Sequence, residues 1–216
     1  MEQIRLRNRN EYVLGVIIMI IWINGAFGSG KTQTAYELLK RIEKAHVFDP
    51  EEAGFYIRDN IPKVLEIGDF QDYPMWRVIN REMLLHICNH YEGVVIVPMT
   101  VTNKHYLEEI TRELRDRGKD IYHFTLLANH EILFKRLKGR GDKKGSWSFQ
   151  QVERCIESFK DEYFKEHIDT NVMTIDQVVE YIADSCRIEL LVDHRSDIRK
   201  RIDRFMVWKN HIRLFK

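Results

Sequence analysis

An apolar β-branched run, a glycine-rich loop and an amphipathic helix follow one another without a break near the start of this 216-residue chain. Strands then alternate with helices almost to the end. Together these observations predict an α/β fold of the P-loop NTPase class: three α/β/α layers around a five-stranded parallel sheet, with an amphipathic helix appended at the C-terminus. The composition agrees. Hydrophobic residues make up 44% and charged residues 31%, with 11 Gly and 4 Pro, as in a chain that buries a core and unlike a disordered or collagen-like one. Lys and Arg number 34 against 33 Asp and Glu, and a net charge of +1 gives no global attraction to nucleic acid, so none is expected as a partner. Cys88, Cys155 and Cys186 are odd in number and outside any metal-ligand spacing, which speaks against a disulfide framework or zinc site and for a reducing, cytoplasmic setting.

The first strand reads over Val16–Ile23, with a looser extension back to Tyr12, well short of the roughly 20 residues that cross a bilayer. Arg5, Arg7 and Arg9 precede it as they would in a signal peptide. The run leads into glycines rather than a small-residue cleavage site, so export is not expected. After Asn24, Gly25-Ala26-Phe27-Gly28-Ser29-Gly30-Lys31-Thr32 satisfies G-x-x-x-x-G-K-[ST], and residues 33–44 read as a helix with Ala35, Leu38, Leu39 and Ile42 on one face. Glycines let main-chain amides point inward around a β-phosphate, and the helix N-terminus adds partial positive charge. Lys31 would then reach the β- and γ-phosphates of ATP, and Thr32 would ligate Mg²⁺. Strand, loop and helix in this order make a chance match a poor alternative.

Downstream, Ala45–Phe48 reads as a short strand ended by Asp49-Pro50, with a helical stretch from about Glu51 until Ile61-Pro62. Pro74 opens a helix that Gly93 closes off, Val94–Val97 is a buried strand, and residues 103–117 form a helix before Gly118. Ile121–Leu126 is the next strand, and Asn129 caps a helix carrying Arg136 and Arg140. Residues 139–147, rich in Gly and Lys, read as a mobile lid. Helix resumes through Phe159, Ile168–Thr170 is a last strand, and Thr174 caps a final core helix.

Asp49, at a strand end facing the expected ligand, is a candidate general base or a water-mediated Mg²⁺ partner; the alternative is a helix cap ahead of Pro50. The strand ending Val97-Pro98-Met99-Thr100 offers no carboxylate in its place. Arg136 and Arg140 are candidates to clamp the transferred phosphoryl group, against a solvated helix face. Arg58, Arg77, Tyr73 and Trp76 fall where small P-loop kinases cap their acceptor site, although Tyr73 and Trp76 read equally as core. From Asp193 to Lys216, eight basic side chains stand against three acidic ones, and Ile198, Ile202, Phe205, Met206, Ile212 and Phe215 recur at helical spacing. This basic amphipathic helix would lie on an anionic membrane surface or dock on the protein itself.

The segment Ile20–Thr34, the Phe48-Asp49-Pro50-Glu51 turn, Tyr73-Pro74-Met75-Trp76-Arg77, Ile96-Val97-Pro98-Met99-Thr100 and Asn210-His211-Ile212-Arg213 resemble the bacterial tunicamycin-resistance ATP-binding proteins. The resemblance implies a nucleoside-kinase-like P-loop domain, ATP as ligand with Lys31 in its site, and a membrane-associated C-terminal helix. It also implies ATP-dependent protection against a nucleoside antibiotic, by phosphorylating or sequestering the drug. A cytosolic small-metabolite kinase and a non-catalytic ATP switch are the alternatives. The expected organisation is an extension over residues 1–18, with Met19 as the expected translational start, an ATP-binding domain over 19–186 and the basic helix over 187–216.

Overall fold

The computed structural model describes residues 19–211. The extension over 1–18, the Val16–Ile18 part of the first strand and the tail residues Ile212, Arg213, Phe215 and Lys216 lie outside the described residues. Five strands form one parallel sheet in the order β2-β3-β1-β4-β5, with β1 Met19–Gly25, β2 Ala45–Val47, β3 Val94–Pro98, β4 Asp120–Leu127 and β5 His167–Asp169. In the central strand Ile21 lies opposite Ile96 on one side and Tyr122 on the other. β-branched side chains fill both faces of this strand, as a doubly covered parallel sheet requires.

The two faces sort by alternation. Met19, Ile21 and Ile23 of β1 join Val94 and Ile96 of β3 against α1 (Lys31–Arg41) and α8 (Ile175–Cys186). Ile20, Trp22, Val95 and Val97 point the other way, to a second core with α3 (Pro74–His90), α4 (Lys104–Asp116) and α5 (His130–Arg140). A period-2 pattern therefore builds a three-layer sandwich with a hydrophobic core on each face.

Local chemistry sets the helix ends. The side chains of Asn103 and Asn129 accept from His105 N and Ile132 N, each at 2.9 Å, and Thr174 with Gln177 forms a capping box. α2 (Glu51–Asn60) stops before Ile61-Pro62, and two 3₁₀ turns, Lys63–Leu65 and Phe70–Asp72, lead into α3. The helix expected through Phe159 is two pieces, α6 (Trp147–Gln150) and α7 (Val152–Ser158). α5 ends at Gly141 with φ 96°, and the Gly- and Lys-rich stretch turns there into α6. A last helix, α9 (Asp197–His211), lies across α1.

Candidate functional site

β1 delivers the chain to Gly25 at the carboxyl edge of the sheet, where Asn24 fixes the exit. Its buried amide donates to Val101 O at 2.8 Å, and its Oδ1 accepts from Gly25 N and Val101 N, both at 2.9 Å. Thr100 Oγ1 adds a bond to Gly25 O at 2.8 Å, so the end of β3 braces the loop instead of supplying a carboxylate. Gly25 has φ 141°, and a Cβ there would meet Leu126 O at 2.6 Å; only glycine fits. Gly30, at φ 108°, turns the loop into the first residue of α1, which is Lys31.

The loop's own groups are close to satisfied. Lys31 Nζ donates to Gly25 O and Ala26 O, each at 3.0 Å, and lies 5.4 Å from the Phe27 ring centre. Burial lowers its ammonium to about 8, against the opposing pull of Glu51. Ser29 N reaches Ala26 O at 3.1 Å, while the buried Ser29 Oγ has no partner. Gly28 carries φ 84°, and Thr32 follows Lys31 on the wall of a cavity of about 1160 Å³.

Of the carboxylates that line that cavity, Asp49, Glu51 and Glu52 come from the β2–α2 junction and Asp142 from the turn after α5. Asp49 ends the β2 edge and accepts from Glu51 N at 2.9 Å, so the cap expected as an alternative to catalysis is formed while the residue still lines the cavity. Burial pushes the Asp49 carboxyl up despite that hydrogen bond. Glu51, in the first turn of α2, is pushed up to about 7 by burial and then by Asp49, with Lys31 and Arg140 pulling the other way. Sequence reading missed Glu51. Its signal was the acidic first turn after Asp49-Pro50, which reads as ordinary helix-dipole chemistry.

The arginines divide. Arg136 is tied to the end of β5, through Nη1 to Thr170 Oγ1 at 3.0 Å and Nη2 to Thr170 O at 2.6 Å, with Ser29 O 3.5 Å away. Arg140 makes a two-pronged pair with Asp142 at 2.6 and 2.9 Å, and Ser148 Oγ donates to the same carboxylate at 2.7 Å. Both line the cavity, and the charge of Arg140 is felt by Glu51. At the opposite end Arg58 donates to Gly68 O at 2.9 Å over the Phe70 ring. Trp76 is fully buried with its indole N–H on Pro50 O at 2.9 Å, holding α3 to the start of α2. Tyr73 is buried too, and Arg77 bonds Gln71 O at 2.6 Å and Glu109 at 2.5 Å. Of this group only Arg58 lines the cavity. Among the described residues no group of three His, Cys, Asp or Glu is arranged to hold a metal by itself.

The sheet order and the glycine loop at the head of α1 define a P-loop protein of kinase-like fold. A gluconokinase from Sinorhizobium meliloti (17% identical, TM-score 0.57, 80% of this chain and 94% of that one) and a sugar kinase from Janibacter (15%, 0.58, 79% and 95%) share that fold. The tunicamycin resistance protein of Deinococcus radiodurans is 33% identical over 81% of this chain and 99% of its own, with a TM-score of 0.68. The chain belongs to the tunicamycin resistance protein family. No family model and no curated protein sequence matches it.

Proposed function

We propose that this chain binds Mg²⁺-ATP and phosphorylates a hydroxyl of a tunicamycin-like nucleoside antibiotic. One observation carries the reading: the glycine loop with Lys31 and the Asp49–Glu51 pair face a single cavity at the carboxyl edge of the sheet. The loop fits a polyphosphate, because Gly28 and Gly30, both at positive φ, carry the main chain along the cavity wall with no side chain in the way and Lys31 sets a buried ammonium beside it at the head of α1. Thr32 would hold Mg²⁺ together with phosphate oxygens and water, with Asp49 as a water-mediated partner, since Mg²⁺ is ordinarily held by one or two protein groups plus the substrate.

When bound, Mg²⁺-ATP supplies the phosphoryl group: the drug oxygen bonds to the terminal phosphorus as the bond to the bridging oxygen breaks, and ADP leaves. Lys31 neutralises charge on the β- and γ-phosphates. The Asp49–Glu51 pair takes the hydroxyl proton, for which a carboxyl near 7 is well matched to neutral pH. Arg140, on the cavity wall, would meet the transferred group, and residues 139–147 would close over it. Arg136, bound to Thr170, is better placed as a wall of the nucleotide site than as a clamp.

A membrane role for α9 is part of the same reading. The helix docks through charged side chains while Ile198, Ile202, Phe205 and Met206 are exposed, with Arg199, Arg201 and Lys209 beside them, a combination suited to an anionic lipid surface. Among the described residues no helix is long and apolar enough to cross a membrane.

Incubation of the purified protein with Mg²⁺, ATP and tunicamycin tests the chemistry. The expected product is drug heavier by one phosphate, formed in step with ADP. Drug that binds only in the presence of nucleotide and is recovered unmodified would replace phosphorylation by sequestration.

A further inference from the structure

The last helix of the chain does more than present an apolar stripe. It bridges three sides of the cavity mouth. On α1, Gln33 Nε2 donates to Arg204 O at 3.0 Å and Tyr36 Oη lies 3.0 Å from His211 Nε2. On α8, Arg204 Nη2 pairs with Asp176 at 2.8 Å. On the far side Trp208 Nε1 donates to Arg140 O at 3.2 Å, at the end of α5. The rings of Phe205 and Trp208, 5.1 Å apart, line the cavity together with Met173, Ile175 and Val178. Two buried polar atoms on this side have no partner, the Gln33 Oε1 acceptor and the Arg204 Nε donor.

We infer that α9 is a wall of the nucleotide site and that Trp208 packs against the base of the bound nucleotide. The inference rests on the nucleotide-binding reading above and adds to it. With the phosphates at the glycine loop, Asp49, Glu51 and Glu52 line the cavity at the start of α2 and repel anions, so that part takes the neutral acceptor hydroxyl. The rest of the lining carries Phe205, Trp208, Met173, Ile175 and Val178 together with the Arg136 guanidinium, the chemistry that receives a flat heterocycle. Because Arg204 and Trp208 of α9 line the cavity while Ile198, Ile202 and Met206 stay exposed, the helix can wall the site and meet another surface at the same time.

Paired titrations of ATP and of inorganic tripolyphosphate into the full chain, its Trp208→Ala variant and its Trp208→Phe variant test this. Loss of an aromatic contact to a base lowers affinity about tenfold or more. Trp208→Ala should therefore weaken ATP by that factor and leave tripolyphosphate unchanged, and Trp208→Phe should restore most of the loss. Equal ATP affinity in all three proteins overturns the inference while the nucleotide reading stands. Equal losses for both ligands also overturn it, because α9 would then act only by shaping the loop. Binding of neither ligand by the unsubstituted chain removes both readings together.

Discussion

At Glu51 the cost of function is open to measurement. Its carboxyl rises from an ordinary 4.5 to about 7 in the folded chain. Between those values the folded state holds a proton that the unfolded state has lost, so this group's contribution to stability falls as pH rises through the window and its cost is complete above it. Glu51→Gln should therefore raise the stability of the nucleotide-free protein at pH 8 by about 1–2 kcal/mol, roughly 3–6 °C in Tm. The gain should vanish below about pH 3.5, where both states carry the proton. Thermal melts at the two pH values check this, and an equal gain at both would remove the buried carboxylate as its source. The same substitution should impair phosphoryl transfer, as expected where stability has been given up at a site. The glycine loop at the head of α1 and the position of Asp49 at the end of β2 were legible in the sequence, because an apolar strand, glycines and a helical pattern in that order fix where the loop lies. Glu51 and Asn24 were not. Their importance lies in what the fold brings near them, Lys31 and Arg140 in one case and the Val101 main chain 77 residues away in the other.

Among the elements, strands were the most readable, since β-branched runs such as Val94–Val97 admit few other readings once both faces are buried. Thr174 and Asn129 announced their helices by capping chemistry. The two 3₁₀ turns between α2 and α3 are too short to show a period, although Asp69 Oδ1 caps the second by accepting from Gln71 N at 3.1 Å and Tyr73 Oη donates to Leu65 O at 3.0 Å. α9 was legible as a helix but not in its orientation. An amphipathic pattern leads one to expect the apolar face inward, whereas here ion pairs do the docking: Arg195 joins buried Glu37, Asp193 and Asp203, and Lys40 pairs with Asp203 at 3.0 Å. A helix so docked, with an apolar outer face and basic neighbours, should cosediment with vesicles containing phosphatidylserine, bind phosphatidylcholine vesicles far less, and lose binding as salt rises. Replacing Ile198 and Ile202 with Ser should abolish cosedimentation; undiminished binding by that variant would count against a membrane role for the outer face.

At the scale of the whole molecule, the sheet order β2-β3-β1-β4-β5 collects the glycine loop, Asp49, the β3 end and Thr170 along one edge of the sheet. That convergence follows from parallel strands and right-handed crossovers, and so was predictable once the strand–helix alternation had been read. The closure of the cavity by α9 was not, because it depends on where a terminal helix finds its countercharges. The account stands on the grip of the loop on a polyphosphate, which isothermal titration of Mg²⁺-ATP into the full chain and into Lys31→Ala measures directly. It predicts saturable binding by the unsubstituted protein and none by a folded Lys31→Ala variant. A well-folded chain that takes up no nucleotide at millimolar concentration, or a Lys31→Ala variant that binds as tightly as its parent, would contradict it.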